Sequence, residues 1–194
     1  MKKKVIFNNF VPVFQTPYFN VEENKNPNFS DGKPYYRITG SDSVICCIMM
    51  KNGNFLMVKQ YRPNLEEETI EFPAGGIEND ENPIDAAFRE IKEETGLSCK
   101  LIYLGAFRLL LNRGTTFEHL YFGFDPKPIP EAIIETGIET LQISREKLLS
   151  TIEEGNYFQL AGIGIIQLAS WKLNVDIINS KIKNIERNFS KIAI

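Results

Sequence analysis

Residues 72–97, FPAGGIENDENPIDAAFREIKEETGL, contain the best-defined helix signal in the chain. Asn82 is a favourable N-cap, Pro83 suits the first helical position, and Gly96 suits the position after the last turn. Apolar residues recur at the spacing of one helix face, at Ile84, Ala87, Phe88 and Ile91. The sequence therefore predicts a tight turn at residues 73–76, followed by an amphipathic helix between Pro83 and Gly96.

The last turns of this helix carry three carboxylates on its other side, Glu90, Glu93 and Glu94. Each like-charge pair three or four residues apart costs a few tenths of a kcal/mol, and an acid near a helix C-terminus costs roughly 0.3–1 kcal/mol more. One interpretation is an acidic face in contact with solvent. The other is a bound divalent cation, which would remove the repulsion, and carboxylate oxygens suit Mg²⁺ or Mn²⁺. We favour the metal site.

Composition excludes several classes of protein. The chain has 194 residues, 43% hydrophobic and 24% charged, as expected for a globular domain. A net charge of −3 gives no reason to expect a nucleic-acid or membrane partner. No signal peptide or transmembrane span is evident. The three cysteines fit no zinc spacing and lie in apolar surroundings, which predicts reduced thiols and a cytoplasmic protein.

The chain divides into three predicted parts. Residues 1–40 alternate short apolar runs with turn formers, which indicates an arm of antiparallel strands; the runs are Val5–Phe7, Val11–Phe14, Tyr18–Val21 and Tyr35–Ile38. Residues 41–173 form the core, in which Asn52-Gly53 between two apolar runs predicts a hairpin. Helices are predicted at Arg145–Glu154 and Leu160–Leu173. Residues 174–194 predict an amphipathic helix that packs either on the core or on a second subunit.

The helix segment also resembles the Nudix box: Gly, five residues, Glu, seven residues, Arg-Glu, an aliphatic, any residue, Glu-Glu, any residue, Gly and an aliphatic. Every constrained position is filled, by Gly75, Glu81, Arg89, Glu90, Ile91, Glu93, Glu94, Gly96 and Leu97. The resemblance implies a Nudix hydrolase of the α/β class, an α/β/α sandwich around a mixed sheet, preceded here by the antiparallel strand arm. Such enzymes cleave a nucleoside diphosphate linked to another group.

The resemblance also implies roles for the box residues. Glu90 and Glu94 resemble the main metal ligands, Glu93 a further or water-mediated ligand, and the carbonyl of Ala74 another. Gly75 and Gly96 would be structural. Glu81 and Arg89 would form an ion pair that pins the loop to the helix and orients the ligands.

Two stretches before the box, Val58-Lys59-Gln60-Tyr61-Arg62 and Glu71-Phe72-Pro73-Ala74-Gly75, resemble the ADP-ribose pyrophosphatases and related nucleoside diphosphate sugar hydrolases. In that group the matching arginine contacts a phosphate, so Arg62 is a predicted substrate ligand. The group's arm builds a homodimer and stacks on the base, for which Tyr36 is our candidate, with Tyr18, Phe19 and Tyr35 as alternatives.

One departure from this group lies beyond the box. The group carries a proline-containing loop there, whereas this chain reads Leu111-Asn112-Arg113-Gly114-Thr115-Thr116, without proline. The change puts ADP-ribose itself in doubt and leaves a nucleotide sugar plausible. Arg113 is a further candidate for substrate binding.

The general base of the resembling group comes from a loop after the central strands, and residues 131–139 match that region. Glu135 is our choice, with Glu131, Glu139 and Glu93 as alternatives. The function predicted is Mg²⁺-dependent hydrolysis of ADP-ribose or a related nucleotide sugar. A GDP-sugar or a dinucleoside polyphosphate is the alternative substrate, and a non-catalytic nucleotide sensor is the alternative class.

Overall fold

The computed structural model describes residues 9–25, 31–157 and 159–194. The chain divides into two compact units: residues up to Asp42 with Arg108–Phe117, and Ser43–Phe107 with Glu118–Ile194. Among the helices of the described residues, none combines the length and the hydrophobicity of a membrane span.

The first unit contains a three-stranded antiparallel sheet in the order β1-β2-β3. Its strands are β1 (Val11–Gln15), β2 (Phe19–Asn24) and β3 (Tyr35–Gly40). The loop 108–117 joins this unit because Ile38 and Arg113 pair through their backbones, with the Ile38 N–H donating to the Arg113 carbonyl at 2.8 Å. The predicted strands at 11–14, 18–21 and 35–38 are therefore present, whereas Val5–Phe7 lies outside the described residues.

The second unit is built on a seven-stranded mixed sheet with the main order β10-β5-β4-β9-β8. Strands β4 and β9 are parallel, whereas β6 and β7 pair antiparallel with β5 and β4. The strands are β4 (Ser43–Met49), β5 (Phe55–Arg62), β6 (Glu67–Glu71), β7 (Ala74–Gly76), β8 (Leu97–Phe107), β9 (Glu118–Pro128) and β10 (Ile138–Ile143). The Asn52-Gly53 turn joins β4 to β5, and Gly53 adopts a φ of +91°.

Helices cover both faces of this sheet, as predicted. They are α1 (Pro83–Thr95), α2 (Arg145–Glu153), α3 (Leu160–Leu173) and α4 (Ile182–Phe189). Alternate residues of β4 are buried on opposite sides: Val44, Cys46 and Ile48 pack with α1, and Ile45, Cys47 and Met49 pack with α3 and α4. A strand buried on both faces reads as a continuous apolar run, which explains Ser43–Met49.

The tail packs on the core of its own chain. Ile185 and Phe189 of α4 are buried, and the Phe189 ring lies 5.9 Å from that of Phe122, measured between centroids. The helix is shorter than predicted, since it covers only Ile182–Phe189 of residues 174–194.

Two local predictions near the box were wrong. Residues 74–76 form strand β7, because their backbone pairs with β4, and not a tight turn. On α1, Phe88 is 39% exposed while Ala86 is fully buried. The helix is therefore rotated relative to the predicted face, and this rotation brings Glu90 and Glu94 to the buried side.

Candidate functional site

The carboxylates at the end of α1 are buried. Helix α1 begins at Pro83 after Asn82 and ends at Gly96, which adopts the left-handed conformation with φ of +69°. Glu90 is 8% exposed and Glu94 is 3% exposed, whereas the Glu93 side chain is 47% exposed. The alternative interpretation, an acidic face in contact with solvent, is therefore excluded for Glu90 and Glu94, which are among the buried residues of α1 together with Ile91.

Strand β7 packs directly against these two carboxylates. The Ala74 N–H donates to Glu94 Oε2 at 3.0 Å. A Cβ atom built on Gly75 would lie 2.0 Å from Glu90 Oε1, so the Glu90 side chain would have to move. Gly75 thus allows the Glu90 carboxylate to keep its place against the backbone of β7.

Burial and mutual repulsion perturb both groups. Burial raises the pKa of Glu94 to about 8, and the charges of Glu90 and Glu135 add to the effect against the opposing hydrogen bond from Ala74. Burial also raises the pKa of Glu90, which the neighbouring Arg89 offsets only in part. Two buried carboxylates that resist ionisation would be relieved by a cation between them.

The donor set fits a hard divalent cation by its chemistry, since it consists of carboxylate oxygens. Within residues 9–25, 31–157 and 159–194, however, no three acidic, histidine or cysteine side chains are already grouped as a metal cage. Arg89 Nη1 instead donates to Glu90 Oε1 at 2.7 Å and to Glu93 Oε2 at 3.2 Å. These carboxylates would exchange an arginine contact for the cation.

The predicted ion pair between Glu81 and Arg89 is present. Arg89 Nε and Nη2 donate to the two oxygens of Glu81, each at 2.9 Å, and Nη2 also donates to the Gly76 carbonyl at 2.8 Å. The loop before α1 is therefore tied to the helix by a two-pronged contact, which is the strongest geometry available to this pair.

Glu135 lies on a loop anchored to the end of α1. The Glu135 N–H donates to the Glu93 carbonyl at 2.8 Å, and the Ile129 N–H donates to the Gly96 carbonyl at 2.9 Å. The Glu135 charge raises the pKa of Glu90 and of Glu94, so it lies within electrostatic reach of both.

Two of the alternative candidates for the general base lie elsewhere on the chain. Glu139 lies on β10 opposite Lys59, and Glu131 lies at a left-handed position with φ of +59°.

Arg62, at the end of β5, is held by a residue that the sequence did not single out. Its Nε and Nη2 atoms donate to the two oxygens of Glu71 at 2.7 and 2.6 Å. The Thr69 hydroxyl donates to Glu71 Oε1 at 2.5 Å. These three side chains and Gln159 line a cavity of about 330 Å³. The alternation of Thr69 and Glu71 along β6 was the available signal, since both then face the same side of the strand.

A second cavity, of about 290 Å³, lies within the first unit. The Arg113 guanidinium lies 4.3 Å from the Tyr35 ring centroid, and the Tyr35 hydroxyl donates to the Asn112 carbonyl. Arg37 covers the Phe10 ring at 4.1 Å.

Tyr36 does not line this cavity, because consecutive residues of a strand face opposite sides. Its hydroxyl instead donates to Glu23 at 2.8 Å. Arg113 and Tyr35 are thus together, whereas Tyr36 is apart.

Comparisons with known proteins agree with this geometry. A family model described as the NUDIX domain matches residues 41–157. The chain is 31% identical to the methanol dehydrogenase activator of Bacillus methanolicus over 156 residues, 72% of this chain and 83% of that protein. It is 27% identical to the ADP-ribose pyrophosphatase of Bacillus subtilis (strain 168) over 134 residues, 67% of this chain and 72% of that protein.

The fold has a solved counterpart. A crystal structure described as an ADP compounds hydrolase superimposes with a TM-score of 0.73 at 19% identity, covering 86% of this chain and 92% of the other. This likeness concerns the fold. With its matched domain, its complete box and its relatives, the chain belongs to the Nudix family and is a pyrophosphohydrolase related to the ADP-ribose pyrophosphatases.

Proposed function

We propose that this protein is a Mg²⁺- or Mn²⁺-dependent hydrolase of ADP-ribose or a related nucleoside diphosphate sugar. The products are a nucleoside monophosphate and a sugar phosphate. The observation that carries the proposal is the pair of buried carboxylates, Glu90 and Glu94, packed against Gly75 with raised pKa values. The similarity to the ADP-ribose pyrophosphatase of Bacillus subtilis supports the choice of substrate class.

The metal-binding residues are Glu90 and Glu94, with Glu93 and the Ala74 carbonyl as further ligands. When bound, a divalent cation neutralises the diphosphate and acidifies a water molecule. Glu81 orients Arg89, so that the carboxylates beside it are held in place.

Glu135 acts as the general base. It accepts a proton from the water whose oxygen attacks one phosphorus atom, and the bond from that phosphorus to the bridging oxygen breaks. The other phosphate leaves with the bridging oxygen. The backbone contact between Glu135 and Glu93 supports this role, since it keeps the carboxylate near the end of α1. Glu93 is the alternative base.

Arg62 binds a substrate phosphate. Glu71 uses Nε and one N–H of Nη2, so the two N–H groups of Nη1 and the second N–H of Nη2 are the donors left for phosphate oxygens. Arg113 and Tyr35 are the candidates for contact with the base, since a guanidinium and an aromatic ring can both stack on a planar group.

We also propose a homodimer in a reducing, cytoplasmic setting. Large apolar side chains of the first unit are exposed, among them Val13, Phe14 and Tyr18, the last at 86%. The three cysteines are free thiols, and two of them are buried. Sedimentation of the purified protein checks the assembly, since a monomer at micromolar concentration would contradict it.

A substrate panel tests the proposed function. ADP-ribose, other nucleotide sugars, dinucleoside polyphosphates and nucleoside triphosphates are each incubated with Mg²⁺ or Mn²⁺, and products are identified by chromatography. Conversion of ADP-ribose or another nucleotide sugar to a monophosphate and a sugar phosphate is expected. The absence of product from every nucleotide sugar would contradict the proposal.

A further inference from the structure

Two arginines lie near the buried carboxylates, and each is gripped by a separate glutamate. Glu81 binds Nε and Nη2 of Arg89, and Glu71 binds Nε and Nη2 of Arg62. Neither of these two glutamates contacts Nη1, the third nitrogen of each guanidinium. Arg89 Nη1 donates to Glu90 Oε1 at 2.7 Å, so an arginine beside this site already contacts one of the proposed metal ligands.

The Arg62 guanidinium is also attracted by carboxylates other than its own partner. Its pKa is raised first by the hydrogen bonds from its guanidinium to Glu71. The charges of Glu94 and Glu135 raise it further, which places both carboxylates within electrostatic reach. Glu94 is 3% exposed, and its Oε2 accepts only the Ala74 N–H among the hydrogen bonds of the described residues. A released guanidinium would therefore find a strong partner in Glu94.

Glu71 is built to prevent that movement. It is 9% exposed and lies on β6, where the Thr69 hydroxyl fixes one of its oxygens. Burial alone would raise the pKa of Glu71, but hydrogen bonds from Arg62 and Thr69 bring it below its ordinary value, so the group is ionised. A buried, ionised carboxylate that accepts three hydrogen bonds is a rigid anchor.

We propose that Glu71 is a positioning residue: it keeps Arg62 off the metal-binding carboxylate Glu94 and directs Nη1 toward a substrate phosphate. The inference rests on the proposed function, because it assumes that a cation and a diphosphate bind here. It assigns to the Glu71–Arg62 pair a role in metal affinity as well as in substrate affinity. Glu71 itself touches neither the cation nor the substrate.

The test compares Glu71→Gln with the wild-type protein in two measurements. Glutamine keeps the size of the side chain and removes the charge that holds Arg62. Calorimetric titration with Mn²⁺ alone, without substrate, should give an affinity about tenfold weaker, because the freed Arg62 competes for Glu94. The KM for the best nucleotide sugar of the panel should rise by about tenfold or more, with a smaller change in kcat.

A double variant separates positioning from general damage. In Arg62→Ala/Glu71→Gln the competing cation is gone, so Mn²⁺ affinity should return to the wild-type value while KM stays high. A structural defect caused by losing Glu71 would not be repaired by deleting a second side chain. Failure of the double variant to recover Mn²⁺ affinity would overturn the inference.

The matched control is Glu68→Gln. Glu68 pairs with Lys59 across the same two strands at 2.7 Å, and its side chain is 61% exposed. Neither Mn²⁺ affinity nor KM should change. If Glu71→Gln does not fold, Thr69→Val decides the question: it should shift both values in the same direction by a smaller factor, and Thr69→Ser should restore them. Unchanged values in Thr69→Val would then overturn the inference.

The two proposals fail in different ways. A wild-type protein that binds no Mn²⁺ and cleaves no nucleotide sugar contradicts the proposed function. A wild-type protein that does both, with a Glu71→Gln variant that matches it, contradicts only the positioning role.

Discussion

The end of α1 and the cavity of the first unit differ in the burial and in the partners of their charged side chains. At α1, Glu90 and Glu94 are buried with fewer cations than carboxylates, and burial raises the pKa of both. In the first unit, Arg37 and Arg113 lie over aromatic rings near the surface. The carboxylates at the end of α1 lack enough positive partners, whereas the two guanidinium groups of the first unit already have aromatic partners.

This difference predicts how strongly substitutions in each region should change activity, stability and substrate affinity. Buried like charges interact strongly because little water screens them, so changes there should alter chemistry and stability together. A cation over an exposed ring contributes about 0.5–1 kcal/mol, so changes in the first unit should alter affinity by small factors. The following experiments test that ranking.

The largest effect is expected for Glu94→Gln. Turnover should fall on the order of 10³-fold, because the variant lacks a proposed metal ligand. In EDTA at neutral pH the same variant should melt higher than wild type, because Glu94 ionises freely in the unfolded chain but resists ionisation in the folded protein, and glutamine removes this difference. Each kcal/mol corresponds to about 2–4 °C for a chain of this size. Glu153→Gln, at the exposed end of α2, is the control and should change neither value. A Glu94→Gln protein that melts lower in EDTA would contradict this prediction.

Gly75→Ala should reduce turnover by about 10²-fold. The new Cβ would meet Glu90 Oε1 at 2.0 Å, so the carboxylate must move away from its place beside β7. Gly76→Ala is the matched control, because a Cβ there meets nothing within 4 Å. Assays of both variants at saturating metal should separate them; equal activities would show that Glu90 does not need its observed position.

In the first unit, Tyr35→Ala and Arg113→Ala should each raise KM by about three- to tenfold with little change in kcat. Tyr36→Ala should change KM less, because Tyr36 faces Glu23 and not the cavity. Steady-state kinetics with the best substrate gives the answer. A larger effect at Tyr36 than at Tyr35 would favour the sequence-based choice of Tyr36.

The smallest effect is the pH dependence of stability without metal. The folded-state pKa of Glu94, about 8, lies above the ordinary value of 4.5, so the folded protein holds this proton more tightly than the unfolded chain. Its stabilising contribution is full below the ordinary value and is lost as the pH rises toward 8. Melting temperatures in EDTA should therefore fall between about pH 5 and about pH 8, less steeply in Glu94→Gln. An identical slope in both proteins would exclude Glu94 as the source.

The local part of the site was predictable because its signals are contiguous. Asn82, Pro83 and Gly96 mark the limits of α1, and the spacing from Gly75 to Glu81 and Arg89 identifies the box. The burial of Glu90 and Glu94 was missed because acidic residues are ordinarily exposed. A shift of the buried face by less than one position, where one position is about 100° of rotation, is enough to bring both carboxylates inside while Ala87 and Ile91 stay buried.

The remaining features depend on pairing between distant segments. The Glu71 contact with Arg62 requires β5 and β6 to pair so that both side chains share one face, because the register sets Arg62 opposite Glu67 and Glu71 opposite Val58. The preference for Tyr35 over Tyr36 depends on which face of β3 meets the loop 108–117, about 75 residues away in sequence. No single stretch of sequence contains that information.

The most direct test is the anomalous scattering of manganese in crystals that contain Mn²⁺ and a non-hydrolysable nucleotide-sugar analogue. We expect a manganese peak within about 2.0–2.3 Å of carboxylate oxygens from both Glu90 and Glu94. A bound analogue with no peak at those two residues, or with the ion held elsewhere, would contradict the metal site.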